Sequence, residues 1–89
     1  MGETYMFMSQ FEDAIKAYEE ALSKYPDNAP VQARALLGKG YSLTKLERYE
    51  EARLTLSKCI DVYGQDPNES VKNIVARCRQ IMLRIQFKS

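Results

Sequence analysis

The sequence predicts an all-α fold, and three observations carry that prediction. Helix formers dominate, with only three prolines and four glycines among 89 residues. Over residues 48–63 the apolar side chains Tyr49, Ala52, Leu56, Cys59, Ile60 and Tyr63 recur at helical spacing, with charges filling the other side. The same stripe occurs 38 residues earlier as Phe11, Ala14, Tyr18, Ala21, Leu22 and Tyr25. Sequence that repeats at such an interval marks stacked supersecondary units, each leaving an apolar face for its neighbour to cover.

Taken in order, the pattern predicts about five helices, roughly 2–8, 10–25, 30–46, 49–63 and 67–86. The first carries Tyr5, Met6 and Met8. Ser9 and Glu12 have the spacing of a capping box, so a second helix is expected to start there. Pro26 ends it, because proline disfavours helix in the residue before it and lacks a donor. Pro30 suits the first turn of the third helix, where a missing N–H is harmless. Gly38 and Gly40 inside that helix each weaken it by roughly 1 kcal/mol relative to alanine. Their presence is explained if another helix passes close by. Glu47-Arg48 is a tight connection, and Gly64 is a stop after the fourth helix. Asp66 as cap, Pro67 in the first turn and Glu69 completing a reciprocal box are expected to start the fifth.

The repeat extends beyond one stripe. A shift of 38 places Gly2 on Gly40 and Cys78, Tyr5 on Leu43 and Ile81, Leu36 on Ile74, and Phe11-Glu12-Asp13-Ala14 on Tyr49-Glu50-Glu51-Ala52. Gly2, Tyr5, Ala14, Tyr18, Ala21 and Pro26, followed by Gly40, Leu43, Ala52, Leu56 and Cys59, resemble the tetratricopeptide repeat in type and spacing. The resemblance covers nearly the whole chain. It departs from the family in its longer period, 38 against the usual ~34 residues, and in a first repeat lacking about half of its first helix. Longer repeats of this kind resemble those of bacterial cell-envelope assembly proteins. The resemblance implies antiparallel helix pairs stacked into a right-handed superhelix, with a concave wall built from the first helix of each pair. The chain then reads as one domain, 1–89, with a truncated first repeat at 1–28, a second at 29–66 and a closing helix at 67–89.

Composition argues against chemistry. There is no histidine, so no serine or cysteine has the usual base and the common zinc sites cannot be assembled. Glu12, Asp13, Glu19, Glu20, Glu50 and Glu51 fall on polar helix faces, whereas acid–base pairs need burial to separate their pKa values. Gly38-Lys39-Gly40 lies within a helix and is no phosphate loop. Cys59 and Cys78 have neither metal-ligand spacing nor a disulfide framework, and both sit on apolar faces. No enzyme activity and no cofactor are expected.

What remains is binding. On the implied architecture the concave wall carries Phe7, then Arg34, Leu37, Tyr41 and Lys45, then Lys72, Val75, Arg79 and Met82. Aromatic anchors among cations suit an extended or helical partner peptide with apolar side chains and negative charge. The paired asparagines and lysines by which some members grip a chaperone's C-terminal carboxylate are not matched here. A second copy of the chain is the other expected partner. Residues 1–28 hold six acids and two bases, residues 70–89 five bases and no acid, and both ends are apolar enough to pair as a homodimer. Nucleic acid is the weaker alternative: Lys72, Arg77, Arg79, Arg84 and Lys88 spread around the last helix, with only Phe87 beside them for stacking. A purely structural segment of a larger scaffold is the third. No run approaches the ~20 apolar residues of a membrane span. The default location is the cytoplasm, with the periplasm or cell envelope left open should a signal have been lost from a longer chain.

Overall fold

The computed structural model describes the backbone of residues 2–88 and the side chains of residues 9–86. Four helices account for it: α1 (Gly2–Lys24), α2 (Ala29–Lys45), α3 (Tyr49–Tyr63) and α4 (Glu69–Lys88), with no strand among the described residues. None of them is long and apolar enough to cross a membrane.

The expected break at Ser9 does not occur. Residues 2–24 form one helix, and Ser9 lies inside it rather than at a cap. Nothing between Met8 and Phe11 forces a turn: there is no glycine or proline, and a serine in mid-helix costs only a few tenths of a kcal/mol. Helices one and two of the sequence pattern are therefore one rod, and Gly2 does not sit on a separate rod parallel to those of Gly40 and Cys78.

The connections explain why the remaining helices start and stop where they do. Asn28 caps α2, its Oδ1 accepting from the Val31 N–H at 3.2 Å, and Pro30 lies in the first turn. Gln32 reaches backward, its Nε2 donating to the carbonyls of Leu22 and Tyr25, both at 2.8 Å. It thereby satisfies acceptors that the end of α1 leaves open. After α2 the Arg48 N–H donates to the Leu43 carbonyl at 2.9 Å and the Glu47 N–H to Thr44 at 3.0 Å. That is the paired bonding of a Schellman turn, and Glu47 takes the left-handed position at φ 63° where glycine is usual. Gly64 ends α3 differently, in right-handed backbone, with a Cβ there meeting the Ile60 carbonyl.

The start of α4 also differs from expectation. Asp66 is not the cap. Its Oδ1 accepts from the Asn68 N–H at 2.9 Å, and Asn68 in turn accepts from Ser70 N–H at 2.8 Å. Asn68 is the residue next to the first helical turn, so α4 begins two residues later than Pro67 would set it. A capping side chain acts from wherever the backbone first becomes helical, and two oxygen-bearing candidates within three residues leave that choice to packing.

Packing is organised by α2, which contacts α1, α3 and α4; α3 also packs on α4, while among the described residues α1 packs on α2 alone. Short connections make successive helices antiparallel, so α2 and α4 run side by side in the same direction. The smallest dimension, 18 Å, is that of two helix layers. The core takes one residue set per repeat: Ala33, Leu36, Gly40 and Leu43 on α2 match Val71, Ile74, Cys78 and the half-buried Ile81 on α4, and Ala52, Leu56 and Cys59 fill the space from α3.

Both mid-helix glycines are explained by close approach. A Cβ on Gly38 would collide with the Tyr18 ring of α1, and one on Gly40 with the Leu56 side chain of α3. Two residues apart is roughly 200° around a helix, so each glycine opens an opposite flank of α2. Gly40→Ala is expected to lower unfolding free energy by about 1–3 kcal/mol, since Leu56 is fully buried and has little room to yield. Glu47→Gly is expected to raise it by roughly 0.5–1 kcal/mol, the relieved left-handed strain less the added unfolded-state entropy. Urea denaturation of the two variants measures both.

Candidate functional site, the groove between α2 and α4

A groove of about 530 Å³ runs between α2 and α4, lined by Leu37, Gly38 and Tyr41 on one side and Arg77, Gln80, Ile81 and Arg84 on the other. A smaller recess of about 90 Å³ continues it past Thr44, Lys45 and Ile85. The depression over Lys24–Pro30, about 500 Å³, is formed by a single connection and offers no second wall.

Tyr41 is the centre of the groove. It is 47% exposed, unusual for a ring surrounded by helices. Phe11 of α1 meets it edge to face, with centroids 6.5 Å apart and planes at 71°. The Lys45 ammonium lies one turn on, 5.3 Å from the ring centroid, in cation–π range. The ring is thus open to an incoming group yet held by neighbours on two helices. Gly38 contributes by lacking a side chain, since the space a Cβ would take is filled by the Tyr18 ring of α1.

Charge on this face has one sign. Arg77, Arg84 and Lys45 surround Leu37, Tyr41 and Ile81, and no acid lines the groove among the described residues. Two acids of α1 form surface ion pairs, Glu19 with Lys39 at 3.5 Å and Glu12 with Arg48 at 3.4 Å. Both are surface pairs, worth little to stability. Among the described residues no three His, Cys, Asp or Glu side chains converge as a metal site would require.

The structure brings together some of the sequence-predicted residues and not others. Leu37, Tyr41 and Lys45 line the groove, and Arg34 is exposed on α2 one turn before Leu37. Phe7 lies outside the described side chains. Val75 is only 3% exposed and belongs to the core, and Met82 packs half-buried against it. Arg79 reaches over Gly64 at the end of α3, with Nη2 3.7 Å from where a Cβ would stand. Lys72 is exposed in the first turn of α4, away from the groove lining.

The reason lies in how parallel neighbours face each other. Lys72, Val75, Arg79 and Met82 are the repeat equivalents of Arg34, Leu37, Tyr41 and Thr44. Equivalent positions point in the same direction on parallel helices and so cannot confront one another. The opposing wall comes from residues roughly half a turn away, which are Arg77, Gln80, Ile81 and Arg84. Arg77 and Arg84, counted in the sequence among the spread cations of the nucleic-acid alternative, are therefore groove residues. Successive parallel helices in a periodic sequence are the signal that could have found them.

Fold and groove together define a class: an array of antiparallel helix pairs in which the first helix of each pair lines a shared face. A family model, described as tetratricopeptide repeat, matches residues 1–68. The chain belongs to the tetratricopeptide repeat family. No curated protein and no solved structure matched it significantly.

Core and groove roles separate by mutation. Val75→Ala is expected to cost about 2 kcal/mol of stability as a buried truncation, whereas Arg77→Ala, at an exposed position two residues on, should stay within about 0.5 kcal/mol. Urea midpoints of the two variants check the assignment of faces on α4.

Proposed function

We propose that the chain is a protein-interaction module whose α2–α4 groove receives an acidic, apolar-bearing segment of another protein, without chemistry of its own. The observation that carries this reading is Tyr41. It is a half-exposed aromatic ring, braced by Phe11 and Lys45, at the middle of a groove whose charged residues, among those described, are all cations. Anchors that are fixed before binding lose little entropy on binding, and aromatic and arginine side chains dominate interface energetics. The family is in general one of protein–protein interaction modules, which supports the same reading.

The cations set the partner's chemistry. Arg77 and Arg84 project from one face of α4, seven residues apart, and Lys45 faces them from α2. A segment with carboxylates flanking one or two large apolar residues would place the apolar group on Tyr41 and Ile81 and its charges on these three. A second copy of the chain is the second reading, favoured by the exposed acids Glu12, Asp13, Glu19 and Glu20 on α1. The two readings separate in a sedimentation run at micromolar concentration, where only self-association yields a species heavier than 10.3 kDa.

The binding test is fluorescence anisotropy with labelled peptides that alternate glutamate with leucine or phenylalanine. Tyr41→Ala and Arg84→Glu are each expected to weaken the tightest binder by about tenfold or more, and Arg79→Ala to leave it unchanged. Affinity should fall as salt is raised. Equal binding by all three variants, or a preference for basic peptides, would remove the groove assignment.

A further inference from the structure

We propose that the segment received by the α2–α4 groove is an α-helix that presents two acids seven residues apart, with large apolar side chains between them on the same face. The inference rests on the groove assignment made above and adds the conformation and spacing of what fills it. Its first support is the order of chemistry along the groove. Along α4 the lining begins at Arg77 and reaches Arg84, which shares the smaller recess with Lys45. Tyr41 and Ile81, which line both depressions, hold the middle.

The spacing selects the conformation. Arg77 and Arg84 are seven residues apart on one helix. Seven residues are about two turns, so the two arginines share one face and stand roughly 10.5 Å apart along it. A helix laid along the groove repeats that separation between its own residues i and i+7, and i+3 and i+4 fall between them on the same face. A strand does not. It covers about 10 Å in three residues, and residues three apart in a strand point to opposite sides, so one acid would turn away from its cation.

The walls also give a strand's backbone little to bond. Leu37, Tyr41 and Lys45 lie within α2, and Arg77 to Arg84 within α4, so their peptide groups serve their own helices. The carbonyls of Ser42, Leu43 and Thr44, left open by the end of α2, accept from the N–H groups of Leu46, Arg48 and Glu47 at 3.1, 2.9 and 3.0 Å. The Thr44 hydroxyl donates to the Gly40 carbonyl at 2.8 Å. Among the described residues, the Gln80 amide and the Tyr41 hydroxyl are then the neutral polar groups left to the lining. An extended segment would leave its inward N–H groups short of acceptors, a penalty that a helix avoids by bonding its own backbone.

The test mixes the full chain with three labelled peptides of about 15 residues, a length at which an isolated helix is marginal. Fluorescence anisotropy gives affinity, and difference circular dichroism gives helicity. The first peptide has glutamates at its fourth and eleventh positions and leucines at its seventh and eighth. The second adds a proline at the ninth, on the side turned away from the groove. The third keeps the first peptide's composition but alternates its glutamates and leucines. The first is expected to gain helicity on binding and to bind about tenfold or more tighter than the other two. Arg77→Glu and Arg84→Glu are each expected to weaken it by about tenfold. A second or third peptide that binds as tightly as the first and loses affinity in Tyr41→Ala would leave the groove in place and overturn the helical occupant. A loss confined to one of the two arginine variants would do the same. Binding that Tyr41→Ala leaves unchanged, or no binding by any peptide, would remove the groove assignment and this inference with it.

Discussion

Everything in this molecule depends on how closely two helices can approach α2 from opposite sides. Gly38 admits the Tyr18 ring of α1, and Gly40 admits the Leu56 side chain of α3. A glycine in mid-helix is a local penalty in propensity. Here the penalty is offset because tight contact on both flanks buries an apolar stripe that no single helix pair could cover. Were α2 of ordinary girth, α1 and α3 would stand farther out and the interior would hold voids instead of packed side chains.

The same arrangement produces the groove. With α1 and α3 occupying its flanks, α2 keeps one free strip, Leu37–Tyr41–Lys45, and α4 lies alongside it. Phe11 reaches around from α1 to brace Tyr41, so the ring's position is decided by α1 as well as by α2, on which it lies. Stability and recognition are consequently coupled through few residues. The core below the groove holds α4 by Val71, Ile74, Val75, Cys78 and Ile85, while its outward neighbours two or three residues away carry the charges.

Much of this was legible in the amino-acid order, and the exceptions have physical causes. The buried set recurring with a 38-residue step, the glycines as close-approach points, the stop at Pro26, the start at Pro30 and the tight connection at Glu47-Arg48 all follow from local rules. The break expected at Ser9 did not, because a capping pattern permits a helix start without compelling one when the preceding residues are also helix-competent. The choice of Asn68 over Asp66 was hidden for a similar reason: both can cap, and only the seating of α4 on α3 selects between them. Gln32, which closes the end of α1 from seven and ten residues away, left no mark in the pattern at all.

By itself the sequence determined the helical class, the repeat, the apolar stripe and the family, since each is a property of spacing along one chain. Only the tertiary structure decided which side of α4 confronts α2. Periodicity states that Val75 is the counterpart of Leu37; it does not state that one is covered and the other open. Exposure depends on which neighbours a helix has: Val75 is buried in the core cluster, while Leu37 is half-buried and lines the groove. The groove therefore takes its second wall from Arg77, Ile81 and Arg84, because parallel helices meet along opposite edges and not along equivalent ones.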